Sequence, residues 1–215
     1  MQKITASLPK SPDVMRTQIA FFQKPDIDRP TDGVDPGNQN YKRGKSWWMP
    51  RDPLVIDLDG NGARAVSIGQ GSYFDFDGDG IRTKSGWVAT GAALLVRDRN
   101  GNGTIDTQTE LYGDQTLDAA GNLARSGFAA LAAEDGNGDG RIDAQDAAWD
   151  QIRLWTDANR DGISQSTELL RPEDLGIASF GTGGTHQWDW FGGTTQKLRS
   201  GRYTRSDGST GEIGE

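Results

Sequence analysis

The stretch RDPLVIDLDGNG, residues 51–62, combines three signals in a short space. It contains an Asp-Pro peptide bond, Asp52–Pro53, continues through the alternating run LVIDLD, and ends in an Asp/Gly turn that begins at Asp57. Alternation of apolar and acidic residues predicts a short strand. Acidic side chains at every second position ahead of a glycine are typical of loops that bind a hard cation. The stretch therefore predicts a strand that leads from the Asp-Pro bond into a metal-binding turn.

The composition limits the chemistry that this chain can perform. Its 215 residues include 30 glycines and 8 prolines, and only 33% are hydrophobic, so we expect a small core and short elements. The absence of cysteine and the single histidine, His186, exclude disulfides, Cys/His zinc sites and thiol nucleophiles, and disfavour a His-based triad. No apolar run approaches a membrane span, and the first residues lack the pattern of a cleavable signal. We expect oxygen-ligand chemistry and no membrane insertion.

The acidic residues are concentrated in one part of the chain. Residues 52–168 contain twenty Asp and Glu against nine Lys and Arg, a net charge of −11, whereas the whole chain carries −8. Such a block repels nucleic acid, so no nucleic-acid partner is expected. Repulsion among the carboxylates destabilises the fold unless cations neutralise them, so we expect folding to depend on bound calcium.

The pattern along the chain predicts two regions. Residues 1–50 lack periodicity and are predicted to be a flexible linker or upstream segment, and residues 51–215 to be a calcium-binding module. Within the module, FAALAAED, AQDAAWDQIRLW and STELLRPEDLG predict helices, and the tail around SDGS predicts a hairpin. The predicted fold class is α+β: short β-strands and hairpins with EF-hand-like helix-loop-helix calcium sites, preceded by a flexible N-terminal segment.

Five loops share the ligand spacing of a calcium loop, and we name each by its first residue: loops 57, 75, 98, 135 and 157. Side chains at positions 1, 3 and 5, a carbonyl at position 7 and a carboxylate at position 12 supply the oxygens, and glycine at position 6 permits the sharp turn. Loop 157 fits fully with Glu168 at position 12, loop 135 ends on Asp146, and in loop 98 Glu110 falls one place late. Loops 57 and 75 have Ile68 and Gly86 at position 12, so their closing ligand must come from elsewhere, and the two could complete each other.

A solvated Asp/Gly turn is the alternative for any single incomplete loop, but five repeats favour calcium, whose extracellular sites bind at about 10⁻⁴ to 10⁻³ M. The predicted ligands are Asp57, Asp59 and Asn61; Asp75, Asp77 and Asp79; Asp98, Asn100, Asn102, Thr104, Asp106 and Glu110; Asp135, Asn137, Asp139, Arg141, Asp143 and Asp146; and Asp157, Asn159, Asp161, Ile163 and Glu168.

Across about residues 51–213, the runs RDPLVIDLDGNG, FDFDGDGIRTKSGWVATGAALLVRDRNGNGTID, ELYGDQT, DGNGDGRIDAQDAAWDQIRLWTDANRDGISQSTEL and YTRSDGSTGEI resemble the self-processing modules of RTX (repeats-in-toxin) secreted proteins. The resemblance implies that calcium folds the module and triggers cleavage at Asp52–Pro53, with Asp52 and Pro53 as the reacting residues. It implies transfer of the new aspartate to a lysine side chain of the same or a neighbouring protein, and secretion without a cleaved N-terminal signal. The family's modules usually extend further, so the last strand is expected to be truncated at Glu215.

Two other readings stay open at this point. A non-catalytic calcium-binding module, structural or adhesive, would use the same loops; a hydrolase that turns over a substrate lacks a nucleophile and base arrangement. Asp35–Pro36 is an internal comparator, an Asp-Pro bond with no acidic loop beside it. Lys42 and Lys45 are candidate isopeptide acceptors, with solvated linker charge as the alternative. Trp47, Trp48, Trp188 and Trp190 could form an aromatic binding face, although core packing is favoured.

Overall fold

The computed structural model describes residues 52–76, 78–117, 121–192 and 195–215, and within residues 187–196 only the backbone. The predicted linker over residues 1–50, the predicted ligand Asp77, the candidate acceptors Lys42 and Lys45, and the side chains of the four tryptophans named above lie outside the described part of the chain.

Short β-strands supply most of the regular structure. They form where the sequence alternates or runs apolar over a few residues between glycine-rich turns. The strands are β1 (Val55–Asp57), β2 (Ala65–Val66), β3 (Tyr73–Phe74), β4 (Thr83–Lys84), β5 (Trp87–Val88), β6 (Ala92–Arg97), β7 (Arg141–Ile142), β8 (Ile152–Trp155), β9 (Leu169–Leu170), β10 (Ile177–Gly181), β11 (Thr185–Gly192), β12 (Thr195–Arg205) and β13 (Thr210–Gly214).

The main sheet is antiparallel and curls into a half-barrel. Within the described residues it has nine strands, in the order β7-β10-β12-β13-β1-β6-β8-β9, with β11 paired to β12 at the side. Two small antiparallel pairs, β2-β5 and β3-β4, lie outside this sheet. Strand β1 lies between β13 and β6, with Val55 opposite both Gly214 and Leu94. The strand that follows the Asp-Pro bond is therefore central in the sheet.

Both faces of the central strands are buried, which explains why LVID and AALLV are almost continuously apolar. Val55 and Leu94 face a core that contains Phe74, Trp87 and Trp155. The alternate residues of the same strands face a second core, in which the large side chains are those of Tyr112, Phe128, Trp149, Phe180 and Tyr203.

The prediction of an α+β fold with helix-loop-helix sites is wrong. The described chain contains one α-helix, α1 (Gly127–Ala132), which Ser126 caps by accepting a hydrogen bond from the Ala129 N–H. Four 3₁₀ turns complete the helical structure of this part of the chain. They are Ile68–Gln70, Gln108–Glu110, Trp149–Gln151 and Glu173–Leu175.

Two of the predicted helices are strands because pairing in the sheet buries their apolar residues more completely. In AQDAAWDQIRLW, the run IRLW forms β8 and pairs with β6 and β9, so that Leu154 and Trp155 are fully buried. A short apolar run of this kind is compatible with either period, and tertiary context decides. In STELLRPEDLG, Leu169 and Leu170 form β9. The loops consequently connect strands and single turns rather than pairs of helices.

The hairpin predicted around SDGS is present, with residues 206–209 joining β12 to β13. Among the described residues, no helix combines the length and apolar character required to cross a bilayer.

Candidate active site and metal-binding loops

The Asp52–Pro53 bond leads directly into β1 and lies against the backbone that follows β6. The Leu54 N–H donates to the Tyr112 carbonyl at 2.8 Å, and the Leu95 N–H donates to the Leu54 carbonyl at 3.0 Å. A Cβ atom placed on Gly113 would lie 3.6 Å from the carbonyl carbon of Asp52 and 3.5 Å from Pro53 Cα. Leu54, directly after Pro53, is therefore held by main-chain hydrogen bonds, and Gly113 lies close to the Asp52–Pro53 bond itself.

The Asp52 carboxyl is buried in acidic surroundings. Its Oδ1 accepts a hydrogen bond from the Asp114 N–H at 2.8 Å, and its carboxyl is also hydrogen-bonded to the side chain of Glu215. Burial, followed by the negative charges of Asp114 and Glu215, raises the pKa of Asp52 from 3.8 to about 9. Near neutral pH this side chain is therefore a protonated carboxyl group.

Glu215 reaches Asp52 because β13 pairs with β12 beside α1. Its N–H donates to the Arg199 carbonyl at 3.0 Å, and its side chain is 2% exposed. Glu215 Oε1 accepts the Gly127 N–H at 2.6 Å, and Arg199 Nη1 lies 3.6 Å from Oε2. The sequence did not point to either partner of Asp52. Asp114 lies in the run ELYGDQT, which matches no ligand or catalytic pattern. Glu215 is brought near by sheet pairing that no local pattern reveals.

A small cavity adjoins the Asp52–Pro53 bond. Its volume is about 10 Å³, comparable with the space that one water molecule needs. Asp52, Pro53 and Gly113 line it together with Gln108 and Gln115. Within the described residues, the buried Oε1 of Gln108 has no hydrogen-bond donor. The cavity therefore has polar as well as apolar walls at the bond.

The acidic loops share one backbone geometry. In loop 98, Asp98 accepts hydrogen bonds from the N–H groups of Gly101, Asn102 and Gly103, and loops 75 and 135 repeat this pattern. The glycine at position 6 has a positive φ in all five loops, for example 83° at Gly103. This is the left-handed conformation that the spacing predicted for that position.

Loop 157 is anchored to the core. Asp157 is 2% exposed, and its carboxylate accepts the indole N–H of Trp87 and the N–H of Gly162. Glu168 Oε1 accepts the Ala158 N–H at 3.0 Å, whereas its buried Oε2 has no partner among the described residues. Burial raises the pKa of Asp157, because the surrounding protein compensates its charge poorly.

Loops 98 and 135 also place their closing carboxylates next to the loop backbone. Glu110 is 1% exposed, and its Oε2 accepts the N–H groups of Asp106 and Thr107, while Oε1 has no partner in the part of the chain described. Asp146 accepts the Gly136 N–H at 2.9 Å and the Asp143 N–H at 3.0 Å. Asp146 thus bridges the two ends of loop 135, whereas Glu110 binds only the backbone at the end of loop 98.

In loop 57 a protein cation already faces an acidic side chain, as Arg141 also faces Asp139 in loop 135. Asp59 is paired with Arg64 at 2.6 Å. Glu212 Oε2 accepts the Ala63 N–H at 3.0 Å, and Glu212 itself is paired with Lys197. Loop 57 is therefore approached by Glu212, a residue that the sequence reasoning did not consider.

The donor chemistry of the loops suits a hard cation, although the side chains do not converge as they stand. Among the described residues, no three His, Asp or Glu side chains form a group that could hold a metal ion. The orphaned Oε1 of Glu110 and Oε2 of Glu168 are the oxygens best placed to accept a cation. The predicted position-7 residues Thr104, Arg141 and Ile163 are exposed at their loops.

The loops are joined to one another. Ser164 Oγ accepts the Ile105 N–H at 2.6 Å, so loops 98 and 157 meet at position 8 of each. Arg97 and Arg99 both form ion pairs with Glu134, the residue that precedes loop 135. A change in one loop can thus reach its neighbours through direct contacts.

Comparison with known proteins gives this architecture a family. The family model of the SPM domain matches residues 54–215. The chain belongs to the SPM domain family. Asp114 and Glu215 lie inside the SPM match, and Asp52 and Pro53 directly precede it. The SPM chain is similar to the iron-regulated protein FrpA of Neisseria meningitidis serogroup C, with 46% identity over 166 residues, which cover 76% of this chain. Because the match covers 15% of FrpA, this chain corresponds to a small part of that relative.

Proposed function

We propose that this chain is a calcium-dependent self-processing module of a secreted RTX-type protein, and that it cleaves its own Asp52–Pro53 bond. The observation that carries the proposal is the buried carboxyl of Asp52, which accepts the Asp114 N–H beside its own peptide bond; burial and the charges of Asp114 and Glu215 raise its pKa. Membership of the SPM family and similarity to FrpA support the RTX-related context.

The reaction would begin with the Asp52 side chain. One carboxyl oxygen attacks the carbonyl carbon of the same residue, which forms a five-membered cyclic anhydride and breaks the bond to the Pro53 nitrogen. The proton of the Asp52 carboxyl ends on that nitrogen, which leaves as a secondary amine. Water then opens the anhydride and regenerates aspartate. The fixed position of the carboxyl lowers the entropic part of the barrier.

The calcium loops lead directly into the walls of this site. Loop 98 ends at Glu110, whose hydrogen bonds to residues 106 and 107 precede the Gly113–Asp114 segment that contacts Asp52. Loop 135 follows α1, whose first N–H group, at Gly127, binds Glu215. Ordering these two loops would therefore fix both partners of the Asp52 carboxyl.

Glu110, Asp146 and Glu168, with the other acidic residues of loops 98, 135 and 157, would hold the ions. Bound calcium supplies positive charge that neutralises clustered carboxylates and so makes the folded state accessible. At sites with dissociation constants of about 10⁻⁴ to 10⁻³ M, extracellular calcium fills the loops and cytosolic calcium does not. Cleavage would then follow secretion.

A lysine amine could replace water as the group that opens the anhydride. Its nitrogen would attack the anhydride carbonyl, lose a proton, and form an Asp-Lys isopeptide bond. Within the described residues the lysines are Lys84 and Lys197, and Lys197 is buried against Glu212. An acceptor in a neighbouring protein or in the upstream segment, such as Lys42 or Lys45, is therefore favoured over Lys197.

The test uses the full chain, purified in chelator and then mixed with millimolar calcium, beside Asp52→Ala and the internal comparator Asp35→Ala. We expect the parent and Asp35→Ala to lose residues 1–52, about a quarter of the chain, and Asp52→Ala to stay whole on a denaturing gel. Mass spectrometry of the small fragment should give a C-terminal aspartate at Asp52. Bands above the parent would report transfer to lysine.

A different outcome would favour the second candidate function, a non-catalytic calcium-binding module. If calcium changes the circular dichroism spectrum while the parent chain remains whole, the chain acts as a structural calcium-binding module and the cleavage proposal is wrong.

A further inference from the structure

The contacts of Glu215 go beyond what a structural residue at a strand end requires. Its main chain completes the pairing of β12 and β13, with its carbonyl accepting the Leu198 N–H at 2.7 Å. Its side chain turns inward, is 2% exposed, and accepts the Gly127 N–H through Oε1. That single hydrogen bond satisfies one oxygen and fixes the direction of the other.

The second oxygen of Glu215 is short of donors. Arg199 Nη1 lies 3.6 Å from Oε2, beyond hydrogen-bonding distance, and donates instead to Ser126 Oγ at 2.8 Å. Apart from a protonated carboxyl group, no donor among the described residues reaches Oε2. Gly127, which holds Oε1, packs closely against Leu54 and the Tyr112 carbonyl, so the Glu215 carboxyl lies beside the segment that contains Asp52. A hydrogen bond between the two carboxyl groups contributes to the raised pKa of Asp52, and such a bond forms only when one of them carries a proton.

Asp114 cannot take the same role through its side chain as it stands. It contacts Asp52 through its main-chain N–H at 2.8 Å, while its carboxylate accepts the side-chain amide of Gln115 at 3.0 Å. Its N–H stabilises negative charge on Asp52 Oδ1, and its carboxylate opposes that charge. Glu215 is thus the acidic side chain described here that is hydrogen-bonded to the reacting carboxyl.

We propose that Glu215 is a second catalytic residue of the self-cleavage, which takes the proton of the Asp52 carboxyl as that group attacks. This inference rests on the proposed function. A carboxyl oxygen is a better nucleophile once its proton is removed, and a hydrogen-bonded carboxylate in a buried site is suited to remove it. The proton passes from Asp52 to Glu215, the C–O bond of the anhydride forms, the C–N bond breaks, and the Pro53 nitrogen receives the proton. Glu215 ends ionised, as it began.

The test compares cleavage rates in calcium for the parent, Glu215→Gln and Glu215→Asp, with Glu212→Gln as the matched control on the same strand. Gln at position 215 can still accept the Gly127 N–H but cannot take a proton. We expect Glu215→Gln to cleave about a hundredfold more slowly, the usual size of a general-base contribution, and Glu215→Asp to recover part of the rate. Glu212→Gln should cleave within about threefold of the parent, because Glu212 contacts Lys197 and Ser200 rather than Asp52.

The pH profile provides a readout that a purely structural role would not change. Loss of a proton-accepting side chain should change the shape of the profile, so Glu215→Gln should differ from the parent in its pH dependence as well as in its rate. The charged groups that face the Asp52 and Glu215 carboxyls are Asp114 and Arg199. Near-UV circular dichroism in calcium verifies that each variant folds. If Glu215→Gln fails to fold, Glu215→Asp decides, because it keeps the charge and withdraws the carboxylate by one methylene.

A Glu215→Gln rate within threefold of the parent, with the same pH profile, would overturn the role of Glu215 and leave the cleavage proposal intact. If Glu215→Gln does not fold, a parent-like rate for a folded Glu215→Asp overturns it equally. A parent chain that remains whole in calcium would instead overturn the proposed function itself, and this inference with it.

Discussion

Asp52 has a protonation state that depends on folding. In the unfolded chain its carboxyl has an ordinary pKa of 3.8, and in the folded protein burial and the neighbouring charges of Asp114 and Glu215 raise that pKa to about 9. Folding therefore takes up a proton between these two pH values. The contribution of this group to stability is fully present below pH 3.8 and is lost as the pH rises towards 9.

The same protonation state predicts the alkaline limb of the cleavage rate. Because the reaction needs the proton of the Asp52 carboxyl, the rate constant in saturating calcium should fall by about tenfold per pH unit above roughly pH 9. Gel densitometry between pH 6 and 10.5 measures it, with far-UV circular dichroism at each pH to verify folding. A rate that rises through this range would indicate attack by hydroxide and contradict the prediction.

At this scale the sequence singles out the residue that we propose to react, but not its surroundings. Asp52 stands out because it directly precedes a strand and an acidic turn, both of which are local patterns. Its partners Asp114 and Glu215 are distant in sequence and come together only through the pairing of β1 with β6 and β13. Periodicity and spacing carry no information about such contacts.

Among the elements, the acidic loops differ in whether a protein cation already pairs with their carboxylates. Asp59 of loop 57 is paired with Arg64, whereas within the described residues no ion pair involves Glu168, whose Oε2 also lacks a hydrogen-bond partner. A calcium ion would bring to Glu168 an opposite charge that the described protein does not supply. In loop 57 it would compete with a guanidinium group.

This difference predicts unequal effects of two matched substitutions. Glu168→Gln removes a closing carboxylate, so the calcium concentration at half-maximal folding should rise by about tenfold or more. Asp59→Asn should shift that concentration by less than about twofold. Calcium titrations followed by tryptophan fluorescence measure both midpoints. Equal shifts would mean that loop 57 binds calcium as the other loops do.

The strands were predictable where alternation or a glycine turn marked them, as in β1 and the hairpin around residues 206–209. Among the predicted helices, FAALAAED forms α1, whereas the sequence between residues 144 and 155 was misleading because its apolar residues lie at spacings that fit a helix. Strand β8 forms there since both of its edges find partners, β6 and β9, and a paired strand buries Trp155 completely. Whether a strand finds neighbouring strands to pair with depends on the whole fold and not on its local sequence.

In the whole molecule, a hydrogen bond joins loop 157 to the aromatic core. Trp87 is fully buried, packs against Phe74 and Trp155, and donates its indole N–H to Asp157. Trp155 lies in the same cluster, but within the described residues its indole nitrogen has no acceptor. The two tryptophans therefore differ in their contact with loop 157 more than in their burial.

Replacing each tryptophan by phenylalanine isolates that contact. Both changes reduce ring volume, but only Trp87→Phe removes a hydrogen-bond donor from the buried Asp157 carboxylate, so it should cost about 1–3 kcal/mol more than Trp155→Phe in urea unfolding with calcium. Trp87→Phe should also raise the calcium midpoint, and Trp155→Phe should leave it nearly unchanged. Equal unfolding costs and equal midpoints would show that the hydrogen bond does not link the loop to the core.

The position of β1 between β6 and β13 has a consequence for timing. A ribosome delivers the Asp-Pro bond early and Glu215 only after the rest of the described chain. Until β13 is laid beside β1, the Asp52 carboxyl lacks the neighbouring acid of Glu215 that helps to raise its pKa. If the module cleaves itself as proposed, the order of synthesis would thus protect the nascent protein from premature scission.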